Sequence, residues 1–541
     1  MQYGTIFLPL GLHGKRKTNN LSNIMNYIIG SGPSGISCAY GLINKGEKVT
    51  ILDVGIELEE KIKNRVDILK NKKEDLTEQD LKQIRRIEFD KKKMPVKLAF
   101  GSNFFSKETE TLFTDNKLKD IETIASFAKG GLSNVWGANI SKYKKTDIEN
   151  WPVKFNELED CYEEISKFIP ISAHEQENEN GFFPIIKHKN QLPLPLSSQG
   201  SSIYKTLEKN RDFLEKNNIF FQKPILAVKG ECKLCKNCLY GCPYNYIYNS
   251  STTLEELIKK PNLTYINNIK VTSFSENAGG VTIHAIDMKT GKREIFQGKR
   301  LFIGAGAFST AFLVLNSLKL FNKKIYLKDC QYYMTPFINM NKAFSNFKNE
   351  KLHTFTQILL GLSEGIDGQI SHVELKGYNQ ILEGEIIKKF GFSKYLLYPI
   401  INSLVKRTVI GTGFLPSLLS PSISIELTDE NNPKLKVEKI SNAKTQLAIS
   451  ENIKKLKVFS KYSNMLHLSS QTFLANTGRS YHLGGTFPMS NNPGELETDF
   501  LGRLNKLQRI HIIDSSIFPE IPSSSITFTV MANALRIAKA V

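Results

Sequence analysis

One strand–turn–helix unit near the N-terminus narrows the folds open to this chain more than any other feature. Asn26 to Ile29 reads as a short apolar strand that runs into Gly30-Ser31-Gly32-Pro33-Ser34-Gly35 and then a helix from Ile36 to Asn44. The next strand, Lys48 to Leu52, ends in Asp53, near the offset at which a dinucleotide-binding unit places its acid. Gly30 permits the tight turn, Gly32 lets backbone approach a pyrophosphate, and Gly35 lets the helix pack on the sheet. The helix N-terminus, with Ser34 in its first turn, offers free N–H groups to phosphates. Asp53 would accept hydrogen bonds from an adenosine ribose. The expected class is α/β: a doubly wound, Rossmann-like domain, with room in 541 residues for a second, α+β domain built on an antiparallel sheet.

Glycine returns twice more. Lys129-Gly130-Gly131-Leu132-Ser133-Asn134-Val135-Trp136 forms a loop able to approach a ligand, although paired glycines also serve ordinary turns. Arg300 to Ile303 reads as a strand entering Gly304-Ala305-Gly306-Ala307, a second junction facing a cofactor. The tail then carries Tyr481-His482-Leu483-Gly484-Gly485-Thr486, Asp514-Ser515-Ser516-Ile517-Phe518-Pro519 and Ser523-Ser524-Ser525. Histidine is the usual proton acceptor near neutral pH, so His482 adds chemistry to binding. His511, inside an apolar strand pattern, reads as structural.

A net charge of +19 admits an acidic partner such as a nucleotide-sugar or phospholipid surface, or a plain bias toward Lys, Ile and Asn. No Lys/Arg patch interleaved with aromatics stands out, which argues against nucleic acid. Phe392 to Leu419 is apolar but broken by Pro399, Lys406, Arg407 and Gly411, so it is read as core, channel wall or peripheral membrane contact rather than a membrane span. Of seven cysteines, four crowd between Cys232 and Cys242, unlike a secreted disulfide framework; a cytoplasmic, reducing setting fits.

Cys232, Cys235, Cys238 and Cys242-Pro243 have the C-x2-C-x2-C-x3-C-P spacing of a ferredoxin-type [4Fe–4S] run. No second run exists to share ligands, so a lone cluster would need Cys242 folded back or a distant thiol, Cys161 or Cys330. Structural zinc is the alternative, although zinc hooks are usually separated by a longer loop.

Taken together, the glycine units and the tail resemble the glucose–methanol–choline (GMC) oxidoreductases, in the same segment order from Met25 to Val541. The resemblance implies FAD held by Gly30, Gly32, Ser34, Gly35 and Asp53, a flavin-contacting loop at Gly130, Gly131, Ser133 and Trp136, a second signature at Gly304 and Ala305, and a closing tract at Asp514 and Ser515. It places His482 at the family's catalytic histidine, removing a hydroxyl proton as hydride leaves a carbinol carbon for flavin N5. Ser525 stands where the family usually has a second His or Asn, and Trp136 where many members have Asn. No His or Cys lies between Cys38 and Cys161, so FAD is expected to be non-covalent.

The expected organisation is a leader or overextended start over 1–24, FAD-binding segments at 25–160, 251–319 and 471–541, substrate-domain segments at 161–224 and 320–470, and the cysteine-rich segment at 225–250. The expected activity is oxidation of a sugar or lipid-linked alcohol to a carbonyl, with the acceptor undetermined. An electron-transfer flavoprotein with an iron–sulfur centre, or a degenerate flavin-binding scaffold, are the rivals.

Overall fold

A computed structural model describes all residues except 1–24, 87, 90–94, 115–119, 175–180, 188–191, 342–349 and 379–397. The expected leader at 1–24 and the start of the apolar stretch from Phe392 therefore lie outside the described residues.

Short, nearly all-apolar strands separated by helices have to be buried on both faces, and they form a parallel sheet. Its five strands run in the order Ile510–Ile512, Arg300–Ile303, Met25–Ile29, Lys48–Leu52 and Leu263–Ile266. The central strand is the one that enters the glycine turn, so segments from three distant parts of the chain converge on that turn. Helix Pro33–Asn44 starts there, with Pro in its first turn, where a missing N–H costs nothing. The C-terminal helix Thr527–Ala540 packs on it so closely that a Cβ on Gly41 would stand 2.8 Å from both Ala538 and Leu535. One apolar core joins this sheet to both helices.

Alternating strands build the rest. Six strands form an antiparallel sheet in the order Met465–His467, Tyr332–Asn339, Thr408–Phe414, Ser371–Lys376, Ile358–Leu362 and Ile219–Gln222, and Phe473–Leu474 adds a seventh beside Tyr332–Asn339. It has its own core around Tyr333, Phe337, Leu360 and Phe459, on which helix Lys444–Tyr462 packs. Smaller antiparallel sheets, Lys324–Lys328 with Ser422–Leu427 and Leu435–Ile440, and Ile269–Asn277 with Gly280–Asp287 and Arg293–Gly298, complete the frame. The apolar stretch near 400 resolves into helix Tyr398–Lys406 and the buried strand Thr408–Phe414. No helix among the described residues is long and apolar enough to cross a membrane.

Candidate active site

The glycine turn has the geometry its sequence requires. Gly30 adopts φ +91°, and a Cβ on Gly35 would lie 2.0 Å from the Gly30 carbonyl oxygen, so neither position tolerates a side chain. Gly32 differs: a Cβ there meets nothing within 4 Å, which leaves open space over the helix N-terminus. Ser31 ties the unit together, its hydroxyl donating to the Asp53 carboxylate and accepting from the Gly130 N–H at 2.9 Å. Gly131 approaches so closely that its Cβ would stand 3.2 Å from Gly32 Cα. The Gly130–Gly131 loop and the fingerprint, distant in sequence, thus share one surface.

Two cavities flank it. The smaller, about 60 Å3, is lined by Gly30, Asp53, Ala305 and Ser309, among others. Burial pushes the Asp53 carboxyl up to about 6 despite the hydroxyls of Ser31 and Tyr265 beside it. Ser309 Oγ is buried there without a hydrogen-bond partner. The larger cavity, about 320 Å3, is lined by Pro33, Ser133, Trp136, His482, Ser525 and Thr527 together with residues of the antiparallel sheet. FAD, which the resemblance implies, fits these residues: backbone open at Gly32, an acid and an orphaned hydroxyl at the adenosine end, and a wide cavity at the other.

His482 sits in a turn stapled on two sides. Gly484 exchanges backbone hydrogen bonds with Lys328 at 2.8 and 3.1 Å, and the His482 N–H donates to Ser480 Oγ at 2.8 Å. Ser480 Oγ in turn donates to Asp329 at 2.5 Å, and the same carboxylate accepts from the Gly478 N–H at 2.6 Å. The imidazole stacks on Phe414, ring centroids 4.8 Å apart. Its Nδ1 is buried with no hydrogen-bond partner among the described residues. Burial pushes the ring down to about 4, against the pull of Glu374, so it is neutral at physiological pH.

Other expected site residues are spent on structure. Asp514 accepts from the Gly306 N–H at 2.8 Å, the Thr310 hydroxyl at 2.6 Å and the Ser516 N–H at 2.9 Å, binding the second glycine junction to the tail. Ser515 Oγ donates to the Leu483 carbonyl at 2.6 Å, another brace on the histidine turn. Ser34 Oγ lies against Gly304, where a Cβ would meet it at 2.9 Å. Trp136 Nε1 donates to the Tyr248 carbonyl at 2.8 Å, which fixes the indole in the cavity wall. His511 is buried in its strand, stacked on Phe302 and hydrogen-bonded to the Leu501 carbonyl at 3.0 Å.

Sequence reasoning missed the opposite wall. Glu374 and Lys376, from one face of strand Ser371–Lys376, line the cavity and pair at 2.8 Å. Burial, the largest single effect, would raise the Glu374 carboxyl, but the Lys376 ammonium, His482 and the Asn139 amide together outweigh it and lower its pKa. Asn139 Nδ2 donates to it at 2.6 Å, and the Thr356 and Thr412 hydroxyls stand at 3.3 and 3.4 Å. Lys97 and Phe414 also line this cavity. In the sequence they are only a Glu and a Lys two apart in a strand that also carries Ser371 and His372.

The cysteine segment does not meet the metal expectation. Cys232, Cys235, Cys238 and Cys242 line one small cavity, yet among the described residues no group of three or more His, Cys, Asp or Glu is arranged to hold a metal ion. Burial raises all four thiols, Cys235 to about 11, so without a metal they are protonated near neutral pH. Neither the iron–sulfur nor the zinc reading gains support. The segment instead supplies cavity wall through Leu239 and Tyr240.

Comparison with known proteins bears out the resemblance and the fold. Residues 421–534 match the family model for the C-terminal part of GMC oxidoreductases. The structure is similar to pyridoxine 4-oxidase from Mesorbium loti, with a TM-score of 0.58 over 96% of this chain and 99% of that one, at 11% sequence identity. No curated protein matches the chain by sequence.

Proposed function

We propose that this chain, a GMC oxidoreductase by its C-terminal region and fold, oxidises the CH–OH group of a small alcohol to a carbonyl with His482 as the base. The observation that carries this reading is the shared cavity: His482 and Ser525 from the tail, Ser133 and Trp136 from the glycine loop, and Pro33 from the fingerprint line one space. Bound FAD supplies the acceptor for the hydride that leaves the carbinol carbon. Gly30, Gly32, Gly35 and Asp53 would hold its nucleotide end, with Ser309 offering a further hydroxyl.

The chain's own contribution is proton handling and placement. A neutral His482 takes the hydroxyl proton onto its imidazole, and Glu374, the carboxylate that pulls its pKa upward, favours the charged ring that results. Ser525 can donate a hydrogen bond to the substrate oxygen but is no base near neutral pH. The stack on Phe414 and the brace through Ser480 and Asp329 fix where the proton is received. Aromatic rings of Trp136, Tyr240, Tyr332, Phe355 and Phe414 among the charged groups suit a sugar-sized alcohol better than a lipid chain.

Anaerobic bleaching of the FAD-loaded protein by a panel of sugars and simple alcohols tests the reading. Bleaching by at least one alcohol is expected, with His482→Gln slowing it by about 10²–10⁴ while FAD content is kept. Bleaching by none would favour the degenerate scaffold; equal rates in His482→Gln would remove the histidine from the chemistry.

A further inference from the structure

Four cationic side chains line the large cavity, Arg86, Lys97, Lys376 and Arg479, against a single carboxylate, Glu374. Three of the four have partners. Lys376 is matched by Glu374 at 2.8 Å, Arg479 by Glu122 at 2.6 Å and Arg86 by Glu88 at 2.7 Å. Lys97 has no salt-bridge partner among the described residues, and the charged groups near it are Lys376 and Glu374. Burial and the Lys376 charge push its ammonium down to about 7 against the weaker pull of Glu374.

The backbone just beyond it is braced. The following turn closes through Ala99 and Ser102, which exchange backbone hydrogen bonds at 3.0 and 2.9 Å, and Ser102 Oγ is anchored on Glu59 at 2.7 Å. Phe100 N–H donates to the Tyr240 carbonyl, and its ring covers Gly241, where a Cβ would stand 2.8 Å from it. A lysine lining a cavity with no salt-bridge partner among the described residues is poorly explained by packing. Ammonium groups withdrawn from water are stabilised by an opposite charge, and among the described residues Lys97 has only the weaker pull of Glu374, which is already paired with Lys376. The phosphate-binding backbone at Gly32 is not what Lys97 faces, since its charged neighbours belong to the antiparallel wall.

We propose that Lys97 recognises an oxyanion, carboxylate or phosphate, on the alcohol substrate. This rests on the alcohol-oxidation reading above and narrows its substrate class to anionic alcohols, such as sugar acids or sugar phosphates. Glu374 neutralises Lys376, which leaves Lys97 as the cation free to bind the anion while His482 and Ser525 meet the hydroxyl.

Binding can be read without turnover. FAD-loaded full-length protein is titrated at constant ionic strength with inorganic phosphate, acetate and benzoate, and with neutral benzamide, following the visible flavin spectrum. At least one oxyanion should perturb the spectrum, benzamide should not compete with it, and Lys97→Met should weaken the anion about tenfold or more. Lys97→Arg, which keeps the charge, should stay within about threefold. Unchanged anion affinity in Lys97→Met, or no binding of any oxyanion by the wild-type protein, overturns the proposal. Loss of FAD from Lys97→Met also overturns it, by assigning the lysine to the cofactor. Failure of every alcohol to bleach the flavin is a separate result, and strikes the oxidation reading while leaving anion affinity measurable.

Discussion

Lys376 Nζ lies 2.8 Å from the carboxylate of Glu374, two residues back on the same strand face, in the wall of the cavity that holds His482. Removing one member leaves the other facing that cavity without its charge partner. Glu374→Gln should therefore destabilise the protein, by at most the about 3–5 kcal/mol of a fully buried pair, because the Lys376 side chain is still 25% exposed. The double variant Glu374→Gln/Lys376→Met keeps an amide for Asn139 and removes the orphaned charge. Urea unfolding should place it nearer wild type than Glu374→Gln alone; additive losses would show the pair is not coupled.

The pH dependence of His482 has a definite sign. Its folded value of about 4 lies below the ordinary 6.5, so the imidazole is neutral from about pH 5 upward. Substrate-driven flavin reduction should lose rate only toward pH 4, on a limb absent from His482→Gln. Stability follows the same group: below about pH 6.5 the unfolded histidine takes a proton that the buried one refuses until about 4. That stability is present above 6.5 and lost as pH falls. His353, His467 and His511, also held near 4, add to the effect, whereas Asp53 and Asp329, raised to about 6 and 7, act the opposite way. Melting curves at pH 4.5 and 7.5 should show a smaller acid loss in His482→Gln than in wild type.

Two glycines of one motif should fail differently. Gly35→Ala places a Cβ 2.0 Å from the Gly30 carbonyl, so the strand–helix contact must open and the melting temperature should fall. Gly32→Ala meets nothing within 4 Å, so the apoprotein should melt as wild type does. Its flavin-to-protein ratio should nevertheless drop, because the methyl enters the space a pyrophosphate needs. Full FAD retention in Gly32→Ala would move the phosphate elsewhere.

Ser480 links Asp329 to the backbone of His482, and Ser480→Ala removes both bonds at once. Loosening the turn should lower the flavin-reduction rate about tenfold or more with little change in FAD content. Restoring the hydroxyl with Ser480→Thr should recover part of that rate, as stopped-flow reduction would show. An unaffected rate would mean that the Lys328–Gly484 brace alone positions the histidine.

The parallel sheet and its ligand end were legible because their causes are local. Lys48–Leu52 and Arg300–Ile303 are apolar enough to announce buried strands, and the glycine spacing reports backbone that no side chain permits. His482 was legible for the same reason, through its glycine-rich turn. The cysteine spacing was equally visible, yet spacing along a chain does not set where buried thiols point or whether they ionise. Asp514 shows a related limit: its motif marked it as important, and only the fold showed its oxygens spent on Gly306, Thr310 and Ser516.

The chain alone thus determined the α/β class, the converging glycine units and the histidine, each written in a few adjacent residues. Tertiary structure decided the opposing wall. Glu374, Lys376 and Lys97 carry no local signature, because their meaning comes from antiparallel strands and a braced loop brought against a distant tail. Charge compensation is a property of side chains gathered in three dimensions, and the pairing of three cations, with no salt-bridge partner for the fourth among the described residues, could be settled only there.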